Sequence, residues 1–473
     1  MYICGNIGNM IDESVICAVS TAPGAGAIAV LRLSGKGCIE LADRLFTSPS
    51  GKKLASCPAN TVCFGGIKSA GVLVDEVLVT VFRAPRSYTG EDSVEISCHG
   101  SRYIQQQLLQ LLIDAGARLA LPGEFTQRAF LNGKMDLSQA EAVADLIASA
   151  SAASHKMALN QMKGGFSAEL IKLRAELLHI TSLLELELDF SEEDVEFADR
   201  SELRRIATGI HTLVNRLCNS FSLGNVIKNG VPVAIVGNTN VGKSTLLNVL
   251  LNEDKAIVSE IAGTTRDVIE DTVNLNGITF RFIDTAGIRR TDDTIENIGI
   301  GRTFAAISQA SVVLLLTDLS RGAETFEQYY RQVREHILPG TKLFIILNKA
   351  DKVDDALTTL ETIKLMTSGE KIIAISARTG HNLELLIDEL TGTVNLHALN
   401  SGDAVVSNAR HYEALVHARD AIARVIEGLS TQLSGEFISQ DIRECLHYLG
   451  EITGDITTDE VLGNIFKNFC IGK

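Results

Sequence analysis

One short segment of the chain carries the residue types that bind phosphate. Residues 237–244 read GNTNVGKS, which fits the pattern of a glycine, four further residues and then Gly-Lys-Ser. The glycines let the backbone wrap phosphate oxygens, so that several N–H groups and a helix N-terminus face the negative charge. Lys243 would then reach the outer phosphates and Ser244 would bind Mg²⁺. The segment predicts a nucleoside triphosphate site.

Three further motifs follow in order, each at the end of a predicted strand. Residues 278–287 end in Asp-Thr-Ala-Gly, residues 342–351 in Asn-Lys-Ala-Asp, and residues 372–378 in Ser-Ala-Arg. A carboxylate at Asp351 can accept two hydrogen bonds from guanine, through N1–H and the 2-amino group, whereas adenine offers no such pair. The four motifs together predict a doubly wound GTP-binding domain, with its ligand outside the carboxyl ends of the strands.

The predicted GTP contacts lie in these motifs and around GTTRD (263–267), where Thr265 would be the second Mg²⁺ ligand. They are Asn240, Val241, Gly242, Lys243, Ser244, Thr245, Ser259, Thr264, Thr265, Asp284, Thr285, Ala286, Gly287, Asn348, Lys349, Asp351, Ser376, Ala377 and Arg378.

Two positions leave the catalytic chemistry open. In Ras-like enzymes a Gln after the Asp-x-x-Gly motif orients the attacking water, but Ile288 stands there in this chain. Glu296 is a candidate replacement; the alternative, which the residues alone favour, is a charged residue on a solvated loop. Asn240 would either bind a monovalent cation near the phosphates or stabilise the turn.

Length and composition limit the kind of protein that can hold these residues. At 473 residues the chain exceeds one compact core, so about two to four domains are expected. The apolar runs are far shorter than a membrane span, and the first basic residue is Arg32, which argues against a secretory signal. The nine Cys include no CxxC pair, and the net charge of −15 gives no sign of nucleic-acid binding. A cytosolic enzyme without membrane contact is expected.

The regions flanking the nucleotide motifs are predicted to be helical. Leucine and isoleucine recur at spacings of three and four, which is typical of a helix packed on a core. These residues are Leu170, Leu173, Leu177, Ile180, Leu184 and Leu188. The GTPase domain (230–394) would therefore be inserted in a discontinuous helical domain (133–229 and 395–473), behind a front domain (1–132).

The last residues, NIFKNFCIGK (464–473), admit three interpretations. Cys470 is fourth from the end, as in a prenylation box, but Gly472 and Lys473 break that pattern, and the lipid interpretation is dropped. A core strand or a tail folded into an active site remain.

Long strings over almost the whole chain point to one family. They are TAPGAGAIAVLRLSG (21–35), APRSYTGEDSVEISCHG (84–100), PGEFTQRAFLNGKMDLSQAEAVADLI (122–147), GTTRD, DTAGIRRTDDTIENIGI (284–300) and GEITGDITTDEVLGNIFKNFCIGK (450–473). They resemble the tRNA-modification GTPase family MnmE, also called TrmE. The resemblance implies a multidomain fold, with an α/β N-terminal tetrahydrofolate-binding domain, an all-α central helical domain and an inserted Ras-like α/β P-loop GTPase domain.

The resemblance also implies ligands for the front domain, which would form a homodimer. It would bind 5-formyl- or methylene-tetrahydrofolate through Arg32, Glu95, Lys134 and the terminal Lys473, and the cationic side chains suit the carboxylates of folate. Cys470 would lie beside that site, either in the chemistry or as a structural thiol. The tail would thus be part of an active site.

The implied reaction is a modification of tRNA. With the FAD-containing flavoprotein MnmG, in a heterotetramer or larger assembly, the family adds an aminomethyl or carboxymethylaminomethyl group to C5 of the wobble uridine. GTP hydrolysis is activated when two GTPase domains meet and K⁺ replaces an arginine finger. The implied K⁺ ligands are Asn240, Ser259, Ile261 through its backbone, and Thr264, and Glu296 is the implied general base. The resemblance thus reverses the plainer interpretations of Asn240 and Glu296.

Two alternative functions remain open. One is a regulatory or ribosome-assembly GTPase that shares only the GTPase domain, which predicts no folate binding. The other is a folate-dependent one-carbon transferase with a non-catalytic GTPase domain, which predicts no response to K⁺.

Overall fold

The computed structural model describes residues 14–189, 200–253, 271–283, 296–321, 324–353, 356–394, 404–431, 433–467 and 469–472. The chain divides into two compact units. The first unit comprises Met1–Ile147, Gln161–Arg204 and Arg424–Lys473, and the second comprises Ala148–Asn160 and Arg205–Ala423.

The strands are β1 (Ile16–Val19), β2 (Ile28–Ser34), β3 (Phe46–Thr47), β4 (Thr61–Ser69), β5 (Val72–Phe82), β6 (Ser93–His99), β7 (Arg118–Leu119), β8 (Val231–Gly237), β9 (Asp271–Leu275), β10 (Ile278–Phe282), β11 (Val312–Asp318), β12 (Lys342–Asn348) and β13 (Lys371–Ala374). The helices are α1 (Cys38–Leu45), α2 (Arg102–Asp114), α3 (Glu124–Leu131), α4 (Leu137–Ala148), α5 (Ala152–Met162), α6 (Gly165–Asp189), α7 (Arg200–Asn229), α8 (Lys243–Glu253), α9 (Glu296–Gln309), α10 (Glu324–His336), α11 (Ala356–Met366), α12 (Leu383–Thr391), α13 (Ala409–Ser430), α14 (Gly435–Thr453) and α15 (Asp459–Phe466).

The first unit contains a seven-stranded sheet in the order β3-β4-β5-β6-β2-β1-β7. Its pairs are antiparallel except for β1 and β7, which are parallel. Alternate residues point to opposite faces of a strand. Leu31, Leu33, Val94 and Ile96 are therefore buried in the core that includes α1 and α2, whereas Arg32 and its neighbours lie on the other face.

The second unit contains a six-stranded sheet in the order β13-β12-β11-β8-β10-β9. The pairs are parallel except for β9, which is antiparallel to β10. The central strands are nearly continuous apolar runs, as expected for parallel strands covered on both faces. Their register places Gly237, Leu316 and Asn348 near one edge, where the strands' carboxyl ends meet.

The predicted core stripe of the helical part lies on α6, which packs against α14. Its side chains are buried at Leu170, Leu173, Leu177, Ile180 and Leu184, which confirms the prediction at these positions. The side chain of Leu188 lies outside the described residues. In the described ranges no helix is both long and apolar enough to cross a membrane. The predicted fold class, two α/β parts with a helical part, is confirmed.

Candidate functional site

The phosphate-binding segment is a tight loop between β8 and α8. Gly237 ends the strand with a φ of 153°, and Gly242 precedes the helix with a φ of 102°. A Cβ atom on Gly237 would lie 2.3 Å from the carbonyl oxygen of Leu316, and one on Gly242 would lie 2.3 Å from Nδ2 of Asn348. Because no side chain fits at either position, the loop can lie closely against the sheet edge.

Lys243 places its charge on this loop. Its Nζ donates hydrogen bonds to the carbonyl oxygens of Gly237 at 2.7 Å and Asn238 at 2.9 Å. Burial lowers the pKa of the Lys243 ammonium. Ser244 and the exposed Thr245 follow in the first turn of α8. A cation and the start of a helix therefore face the same loop, an arrangement that suits phosphate.

Asn348 joins the three loops of the candidate site. Its Nδ2 donates to the carbonyl oxygen of Val241 at 2.8 Å, and its Oδ1 accepts from the N–H of Ala377 at 3.0 Å. The residue is only 3% exposed. A buried amide with both ends satisfied fixes the phosphate loop and the Ser-Ala-Arg turn in one arrangement.

Lys349 extends the same link. It donates to the carbonyl oxygen of Asn240 at 2.8 Å and to Oδ2 of Asp318 at 2.7 Å. Burial alone would raise the pKa of Asp318, but hydrogen bonds from Lys349 and Ser320 outweigh it and lower the pKa. The sequence motifs did not identify Asp318 as a site residue. Its signal was its position at the end of the apolar run VVLLLTD, beside strands that end in motif residues.

Asp351 presents a fixed carboxylate. Ser376 Oγ donates to Asp351 Oδ1 at 2.7 Å, and this hydrogen bond lowers the pKa of Asp351. Ser376 is buried, whereas Asp351 and Arg378 are exposed. An ionised carboxylate has about four acceptor positions, so one bond from Ser376 leaves capacity for the paired donors of guanine.

Tyr329 on α10 is a second site residue that the sequence motifs did not identify. Burial raises the pKa of its phenol, and a hydrogen bond with the backbone of Gly237 partly offsets this rise. Tyr329 thus connects α10 to the start of the phosphate loop. No motif marked it, because its contact joins residues far apart in the chain.

Asn240 is a turn residue in this structure. Its φ of 62° is left-handed, a conformation that Asn adopts more readily than most residues with a side chain. Its side chain is exposed. The turn interpretation is therefore observed, and it leaves the amide oxygen available to a cation.

Several predicted site residues lie outside the described residues. They are Ser259, Ile261, Thr264, Thr265, Asp284, Thr285, Ala286, Gly287 and Lys473. Glu296 begins α9, but its side chain is not among those described.

The predicted metal sites depend on hydroxyl, amide and carbonyl oxygens. In the described part of the chain no cluster of three or more His, Cys, Asp or Glu side chains could hold a metal ion. Asn240 supplies an oxygen atom within the turn between Gly237 and Gly242, and Ser244 supplies one in the first turn of α8. Hard cations such as Mg²⁺ prefer oxygen ligands, so these residues fit the predicted ions.

The first unit contains a second candidate site, centred on Arg32. Arg32 on β2 and Glu95 on β6 are directly paired in register. Arg32 Nε and Nη2 both donate to Glu95 Oε1, at 3.0 and 2.7 Å. The guanidinium also lies 5.3 Å from the ring centre of Tyr88 and 5.7 Å from that of Phe125. Arg32 thus combines an ion pair with aromatic contacts.

The C-terminal tail reaches Arg32. The carbonyl oxygen of Gly472 accepts from Ser20 Oγ at 3.2 Å and from Arg32 Nη1 at 3.4 Å. The carbonyl oxygen of Cys470 accepts from the N–H of Gly123 at 3.4 Å, and the Cys470 side chain is exposed. The tail is therefore neither a strand nor a detached segment; its backbone is held beside Arg32.

Lys134 contacts the loop that carries Tyr88. Its Nζ donates to the carbonyl oxygen of Pro85 at 2.9 Å, and its Cγ and Cδ lie 3.3 Å from where a Cβ of Gly90 would be. Arg32 and Lys134 thus both contact the segment from Pro85 to Gly90. The structure brings Arg32, Glu95 and the tail together directly, and Lys134 through this loop.

A buried ionic network anchors the end of that loop. Arg128, 4% exposed, lies 3.1 Å from Glu91 and 3.2 Å from Glu124, and Glu124 also pairs with Arg118 at 2.6 Å. Ser34 Oγ donates to Glu91 at 2.8 Å. Because buried charges are stable only when paired and hydrogen-bonded, this network fixes the loop against β2 and α3.

Comparisons with known proteins find similarity over nearly the whole chain. Residues 15–134 match the family profile described as GTP-binding protein TrmE N-terminus, and residues 137–470 match that of the MnmE helical domain. The tRNA modification GTPase MnmE of Parabacteroides distasonis is 57% identical over 463 residues, covering 97% of this chain and 100% of that protein.

Two further relatives are similar over the same extent. The tRNA modification GTPase MnmE of Bacteroides fragilis strain ATCC 25285 is 57% identical, covering 98% of this chain and 100% of that protein. That of Christiangramia forsetii is 54% identical, covering 98% and 99%. Among solved structures, a GTP-binding protein from Sulfolobus solfataricus in complex with GDP is 22% identical. The match covers 47% of this chain and 67% of that protein, and its TM-score of 0.27 is low.

Proposed function

The chain belongs to the MnmE family of tRNA modification GTPases, also named TrmE, and from this premise we propose that it couples GTP hydrolysis to wobble-uridine modification. The resemblance predicted from the sequence is confirmed. It also argues against a ribosome-assembly GTPase that shares only the GTPase domain, because the relatives match over nearly the whole chain.

The observation that carries the GTPase assignment is the link through Asn348. One buried amide joins the phosphate loop at Val241 to the turn at Ala377, while Ser376 holds Asp351. The phosphate-binding and base-binding motifs therefore form one site. This arrangement supports recognition of guanine by Asp351 and of the phosphates by the loop of Lys243.

Nucleotide preference tests this assignment. In Asp351→Asn, the amide offers one donor and one acceptor, which match xanthine at N1–H and the 2-oxo group and mismatch guanine. We expect affinity for GTP to fall by roughly 10- to 100-fold, since a guanine N–H loses its charged acceptor, and affinity for XTP to rise. Titration of both nucleotides measures the change.

Asp388→Asn is the matched control. Asp388 is an exposed carboxylate of the same unit that contacts Asn276 instead of the base loops. Its substitution should leave both affinities unchanged. An Asp351→Asn protein that still prefers GTP would show that Asp351 does not read the base.

The hydrolytic step is assigned to the residues around the phosphate loop. Lys243 stabilises negative charge on the outer phosphates, and Glu296 accepts the proton of the attacking water. Mg²⁺, held by Ser244 and Thr265, would neutralise phosphate charge when bound.

Potassium completes this proposal. It would be held by Asn240, Ser259, Thr264 and the backbone of Ile261, and would supply the positive charge of an arginine finger when two GTPase domains meet in a homodimer. The exposed Asn240 side chain, on a turn held by Lys349, supports this role.

The Arg32 site is proposed to bind 5-formyl- or methylene-tetrahydrofolate. The carboxylates of folate suit the cationic Arg32, Lys134 and Lys473, and N–H groups of the folate can donate hydrogen bonds to the Glu95 carboxylate. Cys470 lies on the same tail and is proposed either to act in the one-carbon transfer or to be structural.

Calorimetric titration with 5-formyltetrahydrofolate tests this site. Arg32→Gln should weaken binding by at least about 10-fold, because it removes a charge-assisted hydrogen bond. Arg44→Gln, which removes a guanidinium bonded to the carbonyl of Ala115 in the same unit, should bind as the wild type does. Equal affinities for all three proteins would exclude Arg32 from the folate site.

The proposed assembly follows the family. Residues 1–132 form a folate-binding and dimerisation domain, 133–229 with 395–473 a helical domain, and 230–394 the GTPase domain. The homodimer acts in the cytoplasm with the flavoprotein MnmG, which supplies FAD, in a heterotetramer or larger complex. The net charge of −15 supports a partner that provides much of the binding to tRNA phosphates.

A further inference from the structure

Two cysteines that are six positions apart face each other in the first unit. Cys57 follows the short helical turn Leu54–Ser56, and Cys63 lies on β4. Both are free thiols, and their sulfur atoms are in direct hydrogen-bonding contact at 2.9 Å, against about 2.05 Å in a disulfide. We propose that Cys57 and Cys63 form a redox-active dithiol, a modification site in which peroxide forms a reversible disulfide.

The surroundings distinguish this pair from other cysteines of the unit. Cys38 Sγ donates to the carbonyl of Asp92 at 3.1 Å, and Cys98 Sγ to that of Ala29 at 3.6 Å, whereas Cys57 Sγ contacts both the carbonyl oxygen of Lys53 at 3.4 Å and the sulfur of Cys63. The exposed Cys470 lies on the tail. Within the described residues, Cys57 and Cys63 are thus placed to react with each other.

Access assigns the two sulfur atoms different roles. Cys57 is only 2% exposed, whereas Cys63 is partly exposed. Cys63 is therefore the thiol that a small oxidant reaches, and Cys57 is the thiol that resolves the product. Burial and the neighbouring Cys57 raise the pKa of Cys63 to about 11, against the opposing charge of Lys52. Because the thiolate is the nucleophile, oxidation is slow at neutral pH and faster in alkaline solution.

The chemistry balances with hydrogen peroxide as oxidant. The Cys63 thiolate attacks one peroxide oxygen, the O–O bond breaks, and Cys63 becomes a sulfenic acid as hydroxide leaves and takes up a proton. The Cys57 sulfur then attacks Cys63, the S–S bond forms, and the sulfenic oxygen leaves as water. Two thiols lose two electrons and two protons, and peroxide becomes two water molecules.

The bond would fix the segment before β4. That segment is already held by Arg83, whose Nη2 donates to the carbonyl oxygens of Ala55 at 2.7 Å and Cys57 at 3.2 Å. Asp43 Oδ1 accepts from the N–H of Leu54 at 2.6 Å. Because these contacts hold Cys57 in place, the second step is intramolecular between groups that already touch.

Peptide mapping of the full-length protein tests the proposal. Trypsin cleaves after Lys53 and Lys68, so one peptide, LASCPANTVCFGGIK, contains both cysteines. The reduced protein is treated with hydrogen peroxide at alkaline pH, unfolded, and labelled with N-ethylmaleimide. We expect this peptide to carry no label and to be two hydrogen atoms lighter than the reduced peptide. Treatment with dithiothreitol before labelling should restore the two hydrogen atoms and allow both cysteines to be labelled.

Matched variants decide the outcome. In Cys63→Ser, Cys57 should keep its label after the same treatment, and the buried Cys38 should keep its label in every protein. The proposal is overturned if the peptide keeps both labels while Cys470 is oxidised, or if Cys57 pairs with another cysteine. Neither result depends on GTP or folate binding, so it leaves the proposed function untouched.

Discussion

Single side chains hold the three nucleotide-binding loops together. Asn348 and Lys349 were predicted as base-recognition residues, but the structure shows that they also bond to the phosphate loop at Val241 and Asn240. Their motif could be recognised from the sequence because it is local. Their partners could not, because these contacts join residues more than a hundred positions apart.

The Glu124 carboxylate gives a prediction at this scale. Burial alone would raise its pKa, but hydrogen bonds from Arg118 and the N–H of Leu121 lower it overall, below its ordinary value of 4.5. A depressed pKa means that the carboxylate contributes stability above about pH 4.5, and that this contribution is lost as the pH falls through the folded-state value.

Glu124→Gln should therefore lower the free energy of unfolding at pH 7, by on the order of 3 kcal/mol, because Arg128 loses a buried partner. The difference from wild type should shrink as the pH falls below about 4.5 and through the lowered folded-state pKa of the wild-type carboxylate. Urea unfolding at several pH values measures both effects. The exposed Glu40→Gln is the control, and a difference that is constant with pH would refute the account.

At the scale of elements, the positions of the strands were easier to predict from the sequence than the pairing of one strand with another. The apolar runs of β8, β11 and β12 mark buried parallel strands, and their motif ends locate the edge where the site forms. Arg32 and Glu95 were identified only through family resemblance. Their mutual pairing depends on the register of β2 and β6, which joins residues 63 positions apart and leaves no local pattern.

Two glycines give opposite predictions for stability. Gly277, in the turn between β9 and β10, has a φ of 82°, so Gly277→Val should destabilise the second unit by about 2 kcal/mol. Gly209 lies within α7, and a Cβ there would meet nothing within 4 Å. Gly209→Ala should stabilise the protein by up to about 1 kcal/mol, because alanine favours the helix.

Thermal or urea unfolding of both variants against wild type measures this pair. Gly277→Val acts chiefly through its left-handed backbone, since its Cβ would lie at an ordinary 3.6 Å from Cβ of Ala152, and Gly209→Ala acts through helix preference, so the two changes serve as each other's control. Shifts of the same sign in both variants would mean that backbone conformation does not determine stability at these positions.

At the scale of the whole molecule, the two proposed sites lie in different units. The second unit holds the candidate GTP site, and the first holds the candidate folate site with the C-terminal tail. The sequence motifs predicted the GTP site, whereas the folate site was predicted only through the family resemblance and stays a prediction. The net charge did not predict a role in tRNA modification, because an acidic chain gives no electrostatic sign of nucleic-acid binding. Only the family relationship predicted that role.

The most direct test of a potassium-activated GTPase is GTP turnover by the purified protein in potassium and in sodium at equal ionic strength, beside Glu296→Ala. We predict a large potassium-specific rate that Glu296→Ala loses while it still binds GTP, because the variant lacks the proposed general base. Equal slow rates in both salts, or an unchanged rate in Glu296→Ala, would contradict the mechanism and leave the domain a binding module.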